Sequence, residues 1–441
     1  MQMAHRIAER VAEYGGRTFF VGGFVRDRLM GKESKDIDIE IHGILPETLE
    51  QILNNLGKMT EMGASFGIFG LKGYDLDIAM PRKEEATGRG HKDFTVFVDP
   101  FLGTYKAALR RDFTMNALAY NHESGIIDYF GGISDIENMT LRCVGDPDKR
   151  FNEDALRIMR GIRFASVLSL TMDEETRISI HKNRELLKNI AAERIQMEFN
   201  KLLLGDYVEK ILHEYKDIIA VFIPEIVPTF DFDQRNYHHI YDVWGHIVCG
   251  VASSPKLIYV RLSMFFHDIA KPQCLKFDSR NIGHFAGHPQ MGKEIATTVL
   301  KRLKYDSKTI KIVSFLVLYH DTAMPPQKAE IKKWLMQYGK TLTQLLLEVK
   351  IADNLAKNRN FPRRLIEAKE GRAVLRKIVK NNECYSLEQL QIDGSDLIAA
   401  GFEEDKNIGV ILKNLLSAVI EEKCENEKDK LLALAKTIGE G

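Results

Sequence analysis

The sequence predicts a mixed α/β N-terminal region followed by a chain that is helical almost throughout. Between Arg17 and about Leu141, short β-rich runs mix with helical stretches. Beyond Asp146 and Pro147, apolar residues recur at three- and four-residue spacing, which is typical of amphipathic helices. A chain of 441 residues is too long for one ordinary core. We therefore expect roughly two to four domains.

The composition excludes several classes of protein. Lysine plus arginine and aspartate plus glutamate both number 62, so a polyanionic partner must be held by local patches. The five cysteines form no C-x-x-C pair, which argues against a disulfide framework or a zinc ribbon. The first 16 residues are amphipathic with mixed charge and contain no continuous apolar stretch. They predict neither a secretory signal nor a membrane span, and hence a cytoplasmic protein without a membrane partner.

The segment FFVGGFVRDRLMGKESKDIDIE, residues 19–40, predicts a strand, a glycine turn into a helix, and a second strand. Side chains alternate along a strand, so Asp36, Asp38 and Glu40 project to one face. Mg²⁺ prefers oxygen ligands, and two such ions about 3.5–4 Å apart activate an attacking hydroxyl and stabilise a departing pyrophosphate. The pattern therefore predicts a Mg²⁺-dependent nucleotidyl transfer site with Asp36 and Asp38 as catalytic metal ligands. Asp77, on a later predicted strand, is a candidate third carboxylate.

The glycine turn predicts a phosphate-binding element. Gly22 and Gly23 let backbone N–H groups approach a triphosphate at the start of the following helix, and Arg26 can add a contact. An Asp-x-Asp pair alone is equally typical of a solvated strand face, and a Gly-Gly pair alone of a tight turn. The combination within one strand-helix-strand unit favours nucleotide binding.

Five blocks in order carry a resemblance to a known family. They are GGFVRD (22–27), DID (36–38), RRDFTMNALAYN (110–121), DYFGGISDI (128–136) and NEDALRIMRGIRFA (152–165). Together they resemble the class II tRNA nucleotidyltransferases, or CCA-adding enzymes, and the related bacterial poly(A) polymerases, over roughly residues 15–200. The resemblance implies an α/β nucleotidyltransferase head of the polymerase β-like type at 1–140 and an all-α neck and body at 141–228.

The resemblance also implies roles for single residues. In the third block, Arg111 would contact the triphosphate and Asp112 the ribose hydroxyl, with Arg110, Thr114 and Asn116 in support.

In the fifth block, Asn152 is expected to cap a helix whose first turn holds Asp154, with Arg157 and Arg160 on nearly the same face. By resemblance, Asp154 and Arg157 would form a protein template for the incoming base, and Arg160 would join the nucleotide site. A carboxylate beside a guanidinium matches the donor and acceptor edges of cytosine and adenine, whereas uracil and guanine present the reverse pattern. Taken alone, the block is also typical of a solvated ion-pair helix.

A second set of possible ligands follows in the helical part. An adjacent His-Asp pair on an apolar helix is costly to bury without a partner, and a metal ion would satisfy it. The order of the ligands resembles the HD-domain phosphohydrolases, with the expected set His246, His267, Asp268 and Asp353. Imidazole plus carboxylate suits a divalent transition metal such as Ni²⁺, Mn²⁺ or Co²⁺. The alternative is an HD fold that has lost its chemistry and serves as an RNA-binding scaffold.

The rest of the predicted HD domain, 229–360, offers further polar residues. Lys271 is placed to meet a phosphate oxygen, and His288 and His320 would shape the substrate pocket or hold a second ion. Such domains in multifunctional CCA-adding enzymes hydrolyse 2′,3′-cyclic phosphates and other phosphoesters. An acidic residue often follows the histidine where this chain has GHPQMG, which leaves the substrate preference open.

Two charged segments complete the prediction. Residues 361–380 form a basic helical face at the start of a helical tail, 361–441, and are a candidate contact for tRNA phosphates, although such a run is more commonly a solvated helix. The segment from Pro81 to Pro100 predicts a mobile loop. By resemblance, the intact charged loop from Arg82 to Asp99 favours complete CCA addition.

The leading hypothesis is addition of CCA to tRNA 3′ ends from CTP and ATP, coupled to an HD phosphohydrolase. The alternatives are a poly(A) polymerase, a partial A- or CC-adding enzyme, a signalling enzyme that attaches and removes nucleotides on another protein, and a non-catalytic RNA-binding module. The sequence leaves the oligomeric state open.

Overall fold

A computed structural model describes residues 1–34, 36–60, 67–86, 94–404 and 407–439. Its contacts divide the chain into two compact units, Met1–Phe222 and Ile223–Gly441.

The first unit is built on a mixed sheet. Seven strands follow the order β3-β4-β5-β2-β1-β8-β9, and β6 with β7 and β10 with β11 form two small sheets. The strands are β1 (Arg17–Val21), β2 (Ile37–His42), β3 (Met59–Thr60), β4 (Ile68–Leu71), β5 (Leu76–Ala79), β6 (Arg82–Ala86), β7 (Phe94–Val98), β8 (Ala119–Asn121), β9 (Gly125–Ile127), β10 (Thr140–Leu141) and β11 (Thr171–Met172). In the centre, β2 pairs antiparallel with β1 and parallel with β5. Ile39 and Ile41 of β2 are fully buried, so this strand fixes which face its acidic residues occupy.

Helices cover the sheet and continue beyond it. They are α1 (Gln2–Glu13), α2 (Gly23–Leu29), α3 (Pro46–Leu56), α4 (Thr104–Leu109), α5 (Gly132–Glu137), α6 (Pro147–Glu153), α7 (Leu156–Leu168), α8 (Glu174–Asn183), α9 (Ala192–Leu203), α10 (Val208–Glu214) and α11 (Lys216–Phe222). The predicted change from a mixed sheet to a largely helical body is confirmed.

The prediction that Asn152 caps a helix was wrong. Asn152 lies inside α6, and the cap is Asp146, whose side chain accepts hydrogen bonds from the backbone N–H groups of Asp148 and Lys149. Pro147 occupies the first helical position, where its missing N–H costs nothing. The helix ends at Glu153, and the extended backbone of Asp154 separates α6 from α7. Asp154 therefore sits at a break between two helices rather than within a first turn.

The predicted loop between Pro81 and Pro100 was also wrong in part. Residues 82–86 and 94–98 are the strands β6 and β7, which pair antiparallel from Arg82 opposite Val98 to Ala86 opposite Phe94. The sequence FTVFV consists of β-branched and aromatic residues, which favour a strand. Residues 87–93, which include both glycines of the prediction, lie outside the described residues.

In the second unit, the described residues form helices and one short hairpin. Its elements are α12 (Val243–Ser253), α13 (Ile258–Phe266), α14 (Lys271–Cys274), β12 (Lys276–Phe277), β13 (Gly283–His284), α15 (His288–Arg302), α16 (Ser307–Tyr319), α17 (Lys328–Leu355), α18 (Arg363–Lys380), α19 (Gly394–Ala399), α20 (Asn407–Ile420) and α21 (Lys428–Gly439). Gly339 interrupts α17 with a positive φ of 76°. Buried apolar residues between Cys384 and Ala435 form a hydrophobic cluster of their own.

Among the described helices, none is long and apolar enough to cross a membrane.

Candidate active site and metal centre

The residues predicted for nucleotide binding come together in the first unit. One pocket of about 470 Å³ is lined by every one of them: Gly22, Gly23, Arg26, Asp36, Asp38, Arg111, Asp112, Asp154, Arg157 and Arg160. Arg110, Asn116, Arg163 and Phe164 complete the lining. Residues from 22 to 164 in sequence thus share one concave surface, which is the geometry expected of a binding site.

The acidic edge of this pocket lies at the start of β2. Burial, followed by the negative charges of Asp77 and Asp36, raises the pKa of Asp38 above its ordinary value, although Arg111 opposes the change. Asp77 of β5 is the register partner of Asp38, which explains its influence. Among the described residues, however, the clusters of three or more potential metal ligands lie in the second unit, so Asp77 is not gathered with Asp36 and Asp38.

Gly22 is required by the shape of the turn. Its φ is 64° and its ψ is −131°, a region that side chains disfavour. A Cβ atom there would lie 2.8 Å from Nη1 of Arg111 and 3.7 Å from Oδ2 of Asp38. A Cβ at Gly23 would meet its nearest atom, Nη2 of Arg26, at an ordinary 3.5 Å. Only the first glycine is therefore demanded by the local structure.

Two arginines on the pocket wall differ in how firmly they are held. Arg26 is buried, and its guanidinium donates to Asp27 at 2.7 and 2.8 Å and to Oδ1 of Asn116 at 2.7 Å. Arg111 has longer contacts, 3.5 Å each, to Oε2 of Glu40 and to the carbonyl of Asn116. Arg111 is thus better placed to rearrange around an anion than Arg26.

Sequence reasoning missed the support behind Arg111. Oε1 of Glu40 lies 2.8 Å from Nε2 of His42. Burial alone would raise the pKa of Glu40, but the hydrogen bond with His42 and the charge of Arg111 outweigh it, so the pKa lies below its ordinary value. The two-residue spacing of Glu40 and His42 on β2 was a signal available in the sequence.

Asp112 is buried in a set of charge-assisted hydrogen bonds. Its Oδ2 accepts from Arg160 at 2.6 and 2.7 Å, and its Oδ1 accepts from Nδ2 of Asn116 and from the N–H of Phe113. Burial raises the pKa of Asp112, but Arg160 and Asn116 more than reverse the effect, so the pKa lies below its ordinary value. Asp112 is therefore a fixed carboxylate at the pocket wall.

Asp154 and Arg157 flank the break between α6 and α7. Arg157 donates to the carbonyls of Arg150 at 3.1 Å and Arg110 at 2.9 Å, and its ion pair with Glu153 spans 3.1 Å. These contacts fix the plane of its guanidinium. Asp154 accepts from the N–H of Leu156 at 3.1 Å and stands 3.5 Å from the guanidinium of Arg194, on α9.

Arg163 was a missed member of the pocket. It follows Arg157 and Arg160 at intervals of three along α7, a spacing visible in the sequence. Its guanidinium pairs with Glu198 of α9 at 2.7 Å and lies 3.6 Å from the ring centroid of Phe164. Burial lowers the pKa of Arg163, and Glu198 opposes the change.

The predicted metal ligands of the second unit form a buried cluster. His246 on α12, His267 and Asp268 after α13, and Asp353 on α17 place their ligand atoms within 4.8 Å of one another. Nε2 of His246 lies 3.1 Å from Nε2 of His267, 3.1 Å from Oδ2 of Asp268 and 3.1 Å from Oδ1 of Asp353. The Nε2 atoms of both histidines and the carboxylate oxygens thus lie close enough together to bind one ion.

Backbone carbonyls fix the orientation of both rings. Nδ1 of His246 lies 3.2 Å from the carbonyl of Ala356, and Nδ1 of His267 lies 2.7 Å from that of Met264. Because a carbonyl only accepts, each Nδ1 is the protonated nitrogen and each Nε2 of a neutral ring presents a lone pair. Burial lowers the pKa of His267, but Asp268 and Asp353 raise it to about 9, so the cluster attracts either a proton or a metal ion.

Asp268 joins this cluster to a second one. Its Oδ1 lies 3.3 Å from Nε2 of His288 and 3.6 Å from Nε2 of His320, which are 3.2 Å apart. Both of these rings also direct Nδ1 to a carbonyl, those of Phe285 and Val317, each at 2.7 Å. The carboxylate therefore bridges two groups of imidazoles.

The two clusters open onto a cavity of about 930 Å³. Lys271, which lines it, is buried and lies 2.7 Å from Oδ2 of Asp268 while donating to Gln234 at 2.8 Å. Burial would raise the pKa of Asp268, but His267 and Lys271 hold it well below its ordinary value. The carboxylate therefore stays ionised, as a metal ligand must be.

Family models match three parts of the chain. A Poly A polymerase head domain matches residues 18–142, a "Probable RNA and SrmB- binding site of polymerase A" matches 169–228, and domain 2 of tRNA nucleotidyltransferases matches 284–435.

Relatives agree with these matches. A CCA-adding enzyme of Streptococcus suis is 36% identical over 236 residues, or 52% of this chain and 56% of the relative. The match thus spans just over half the length of that relative. The CCA-adding enzyme of Levilactobacillus brevis is 28% identical over 98% of this chain and 96% of its own.

Solved structures share the fold. The Bacillus stearothermophilus CCA-adding enzyme in complex with CTP has a TM-score of 0.73 and 23% identity, covering 100% of this chain and 97% of its own. The Thermotoga maritima CCA-adding enzyme complexed with tRNA has a TM-score of 0.60 and 19% identity, with 99% and 94% covered.

The head pocket lies in the region that matches the Poly A polymerase head domain, and the whole chain shares its fold with solved CCA-adding enzymes. By family models and relatives, the chain is similar to poly(A) polymerases and CCA-adding enzymes.

Proposed function

We propose that the first unit adds CCA to tRNA 3′ ends, using CTP and ATP. The observation that carries the proposal is the single pocket in which the acidic start of β2, the glycine turn and the α6–α7 break converge. The relatives at 28% and 36% identity are CCA-adding enzymes, which supports the same activity.

Asp36 and Asp38 would hold Mg²⁺. The raised pKa of Asp38, caused by burial and then by neighbouring carboxylates, supports this because a cation would relieve the same repulsion. Bound Mg²⁺ supplies activation of the tRNA 3′ hydroxyl and charge neutralisation at the triphosphate. In the transfer, the 3′ oxygen bonds to the α-phosphorus, the bond to pyrophosphate breaks, and the hydroxyl proton is released.

The surrounding residues would position the nucleotide. Arg111, with its two long contacts, would turn toward the triphosphate. Asp112 would accept a hydrogen bond from a ribose hydroxyl while Arg160 holds the carboxylate in place. Arg26 would face the phosphates from a fixed position, since Asp27 and Asn116 hold its guanidinium.

Asp154 and Arg157 would read the base. Cytosine and adenine each present an amino donor beside a ring acceptor, which match a carboxylate and a guanidinium. Uracil or guanine would leave a buried group unpaired on each side. That mismatch costs about 1–3 kcal/mol per group, or roughly 5- to 150-fold in selectivity.

Replacement of either base-reading residue tests this role. Asp154→Ala or Arg157→Ala should reduce the preference for CTP over UTP, measured as the ratio of kcat/KM values. Arg177→Ala is a matched control, because Arg177 is an α8 arginine paired with Glu174 outside the pocket. Unchanged discrimination in both variants would contradict the template.

The match of residues 18–142 to a Poly A polymerase head domain also supports poly(A) polymerase as an alternative. Incubating a tRNA that lacks its CCA end with CTP alone separates the two activities. CCA addition predicts two added cytidines, whereas a poly(A) polymerase extends the same tRNA only with ATP.

For the second unit, we propose phosphoester hydrolysis by an HD-type domain at about 229–360. The inward-facing Nε2 atoms of His246 and His267, together with Asp268 and Asp353, support a site for Ni²⁺, Mn²⁺ or Co²⁺. His288, His320 and the other oxygen of Asp268 would hold a second ion. A bound ion of this kind supplies an activated water. Lys271 would orient a phosphate oxygen, and hydrolysis forms one P–O bond from water while the ester P–O bond breaks and its oxygen gains a proton.

Metal content tests this site without relying on activity. Protein stripped with a chelator and reloaded with Mn²⁺ should retain two tightly bound ions per chain, and His267→Ala should lose at least one. His213→Ala, at an exposed position of the first unit, should retain both. Two ions in both variants would show that His267 is not a ligand, and no retained ion in the unsubstituted protein would favour a metal-free scaffold.

A further inference from the structure

The cavity of the second unit extends beyond the metal cluster to a group of aromatic rings. His238 and Phe361 line the same cavity as Asp268 and Asp353. The rings of His238 and Phe361 lie 4.6 Å apart, and Tyr237 lies 4.2 Å from His238 and 5.3 Å from Phe361. Tyr237 and Phe361 are exposed, at 57% and 46%. We call these three residues the ring platform.

The ring platform is built onto the metal cluster. His239, the next residue after His238, places its ring 5.1 Å from that of His246. On the other side, Phe361 follows Lys357, whose ammonium pairs with Asp353. Each part of the platform is thus connected through a few residues to a candidate metal ligand.

Hydrogen bonds hold the two halves of the platform together. The N–H of Asn358 donates to the carbonyl of His238 at 2.9 Å, and its side chain donates to the carbonyl of Tyr237 at 3.0 Å. The N–H of Phe361 in turn donates to the carbonyl of Asn358 at 3.1 Å. Two of these bonds join main-chain groups and the third ends on a main-chain carbonyl, so the backbone that carries the rings is fixed without a ligand.

Size and charge indicate what the platform receives. A volume of about 930 Å³ lies in the range of pockets that hold drug-sized molecules, well beyond a phosphate group alone. Arg363 and Arg364, at the start of α18, also line the cavity. Each pairs with a carboxylate through one nitrogen, Arg363 with Glu367 and Arg364 with Asp321, and a guanidinium has further N–H groups that can donate to an anion. Burial, then the charges of Arg364 and Lys357, lower the pKa of His238, so its ring is neutral and suited to stacking.

We propose that the ring platform binds the base of a nucleoside phosphate whose phosphate group lies at the Asp268 and Asp353 end of the cavity. This inference rests on the phosphohydrolase activity proposed above. An exposed aromatic surface stacks on any base, so the platform favours ligands with a base without choosing among bases. The shared chemistry is a terminal nucleoside with a phosphate, either as a free nucleotide or at the end of an RNA.

The test compares a ligand with a base and one without. Phosphate release from adenosine 2′-monophosphate and from glycerol 2-phosphate is measured with the full chain and Mn²⁺, in the absence of CTP, which would compete for the platform. Phe361→Leu should raise KM for the adenosine compound on the order of tenfold and leave that for glycerol 2-phosphate unchanged. Phe277→Leu is the matched control, since Phe277 is 49% exposed in the same unit and does not line the cavity.

The outcomes separate this inference from the proposed activity. If no phosphate is released, the proposed phosphohydrolase activity is refuted. Isothermal titration of the same compounds then still measures base binding and tests the platform by itself. Equal effects of Phe361→Leu and Phe277→Leu, or equal affinity for the two compounds, would overturn the platform. A short RNA ending in a 2′-phosphate distinguishes the sources: tighter binding than the mononucleotide identifies an RNA end, and equal binding a free nucleotide.

Discussion

Replacing Gly22 by alanine should distort the head pocket in a measurable way. The φ of 64° and ψ of −131° cost an alanine about 1–3 kcal/mol, because a Cβ in this region clashes with the backbone. For a cooperative unit of roughly 200 residues, each kcal/mol lowers the melting midpoint by about 2–4 °C. The first unit should therefore melt about 2–12 °C lower than the unsubstituted protein.

The same substitution should impair nucleotide use. The added Cβ would lie 2.8 Å from Nη1 of Arg111, so the guanidinium must move by a few tenths of an ångström or more. Loss of one charge-assisted hydrogen bond costs about 1.5–3 kcal/mol, so kcat/KM for CTP should fall by about 10- to 150-fold.

Gly23→Ala provides the matched control for stability. Its Cβ would meet Arg26 at an ordinary 3.5 Å, so the midpoint should change by less than about 2 °C. Calorimetry of both variants, with single-turnover CTP incorporation, makes the comparison. Two variants with equal midpoints and equal kcat/KM would refute the argument that the turn at Gly22 requires glycine.

Three further predictions concern other parts of the chain. Asp112→Asn should destabilise the first unit by about 1–2 kcal/mol, a discounted value because a third of the Arg160 side chain is exposed. The folded pKa of Asp112 lies below its ordinary 3.8, so its contribution to stability is present above pH 3.8 and is lost as the pH falls through the folded pKa. The melting midpoints of Asp112→Asn and of the unsubstituted protein, measured between pH 3 and 7, should therefore converge in acid. On α18, Arg376→Gln should reduce the salt slope of tRNA binding by about 0.7–0.9, and Arg372→Gln, already paired with Glu348 at 3.0 Å, by less. His288→Ala should remove one of two bound Mn²⁺ ions, counted by elemental analysis, while retention of both would place no ion at the second cluster.

Much of the head could be predicted because its signals are local. Alternation along β2 and the buried Ile39 and Ile41 fix which face Asp38 occupies. The helix break at Asp154 could not be found in the same way, since an Asn before two acidic residues is also a good capping pattern. Asp146 and Pro147 form a stronger helix start six residues earlier, and a residue inside that helix, such as Asn152, cannot also be a cap. Which of two possible caps starts the helix depends on the residues of the whole segment, not on the capping residue alone.

Contacts between distant segments account for the rest of what was missed. Arg163 was visible in the sequence, but its role depends on Glu198 of α9, 35 residues later in the chain. The ring platform is less accessible still, because Tyr237 and Phe361 meet only when Asn358 bonds to the carbonyls of Tyr237 and His238. Neither residue belongs to a motif, and the predicted boundary at 360/361 separates them.

In the metal cluster, the main chain decides which nitrogen of each histidine can bind an ion. In the metal cluster, residue type alone names His246 and His267 as ligands, but an imidazole can bind through either nitrogen. The carbonyls of Ala356 and Met264 take up the Nδ1–H groups and leave the Nε2 lone pairs facing Asp268 and Asp353. Main-chain atoms of apolar residues thus set the direction of the ligands. A substitution that shifts either carbonyl would weaken metal binding while every ligand remains in place.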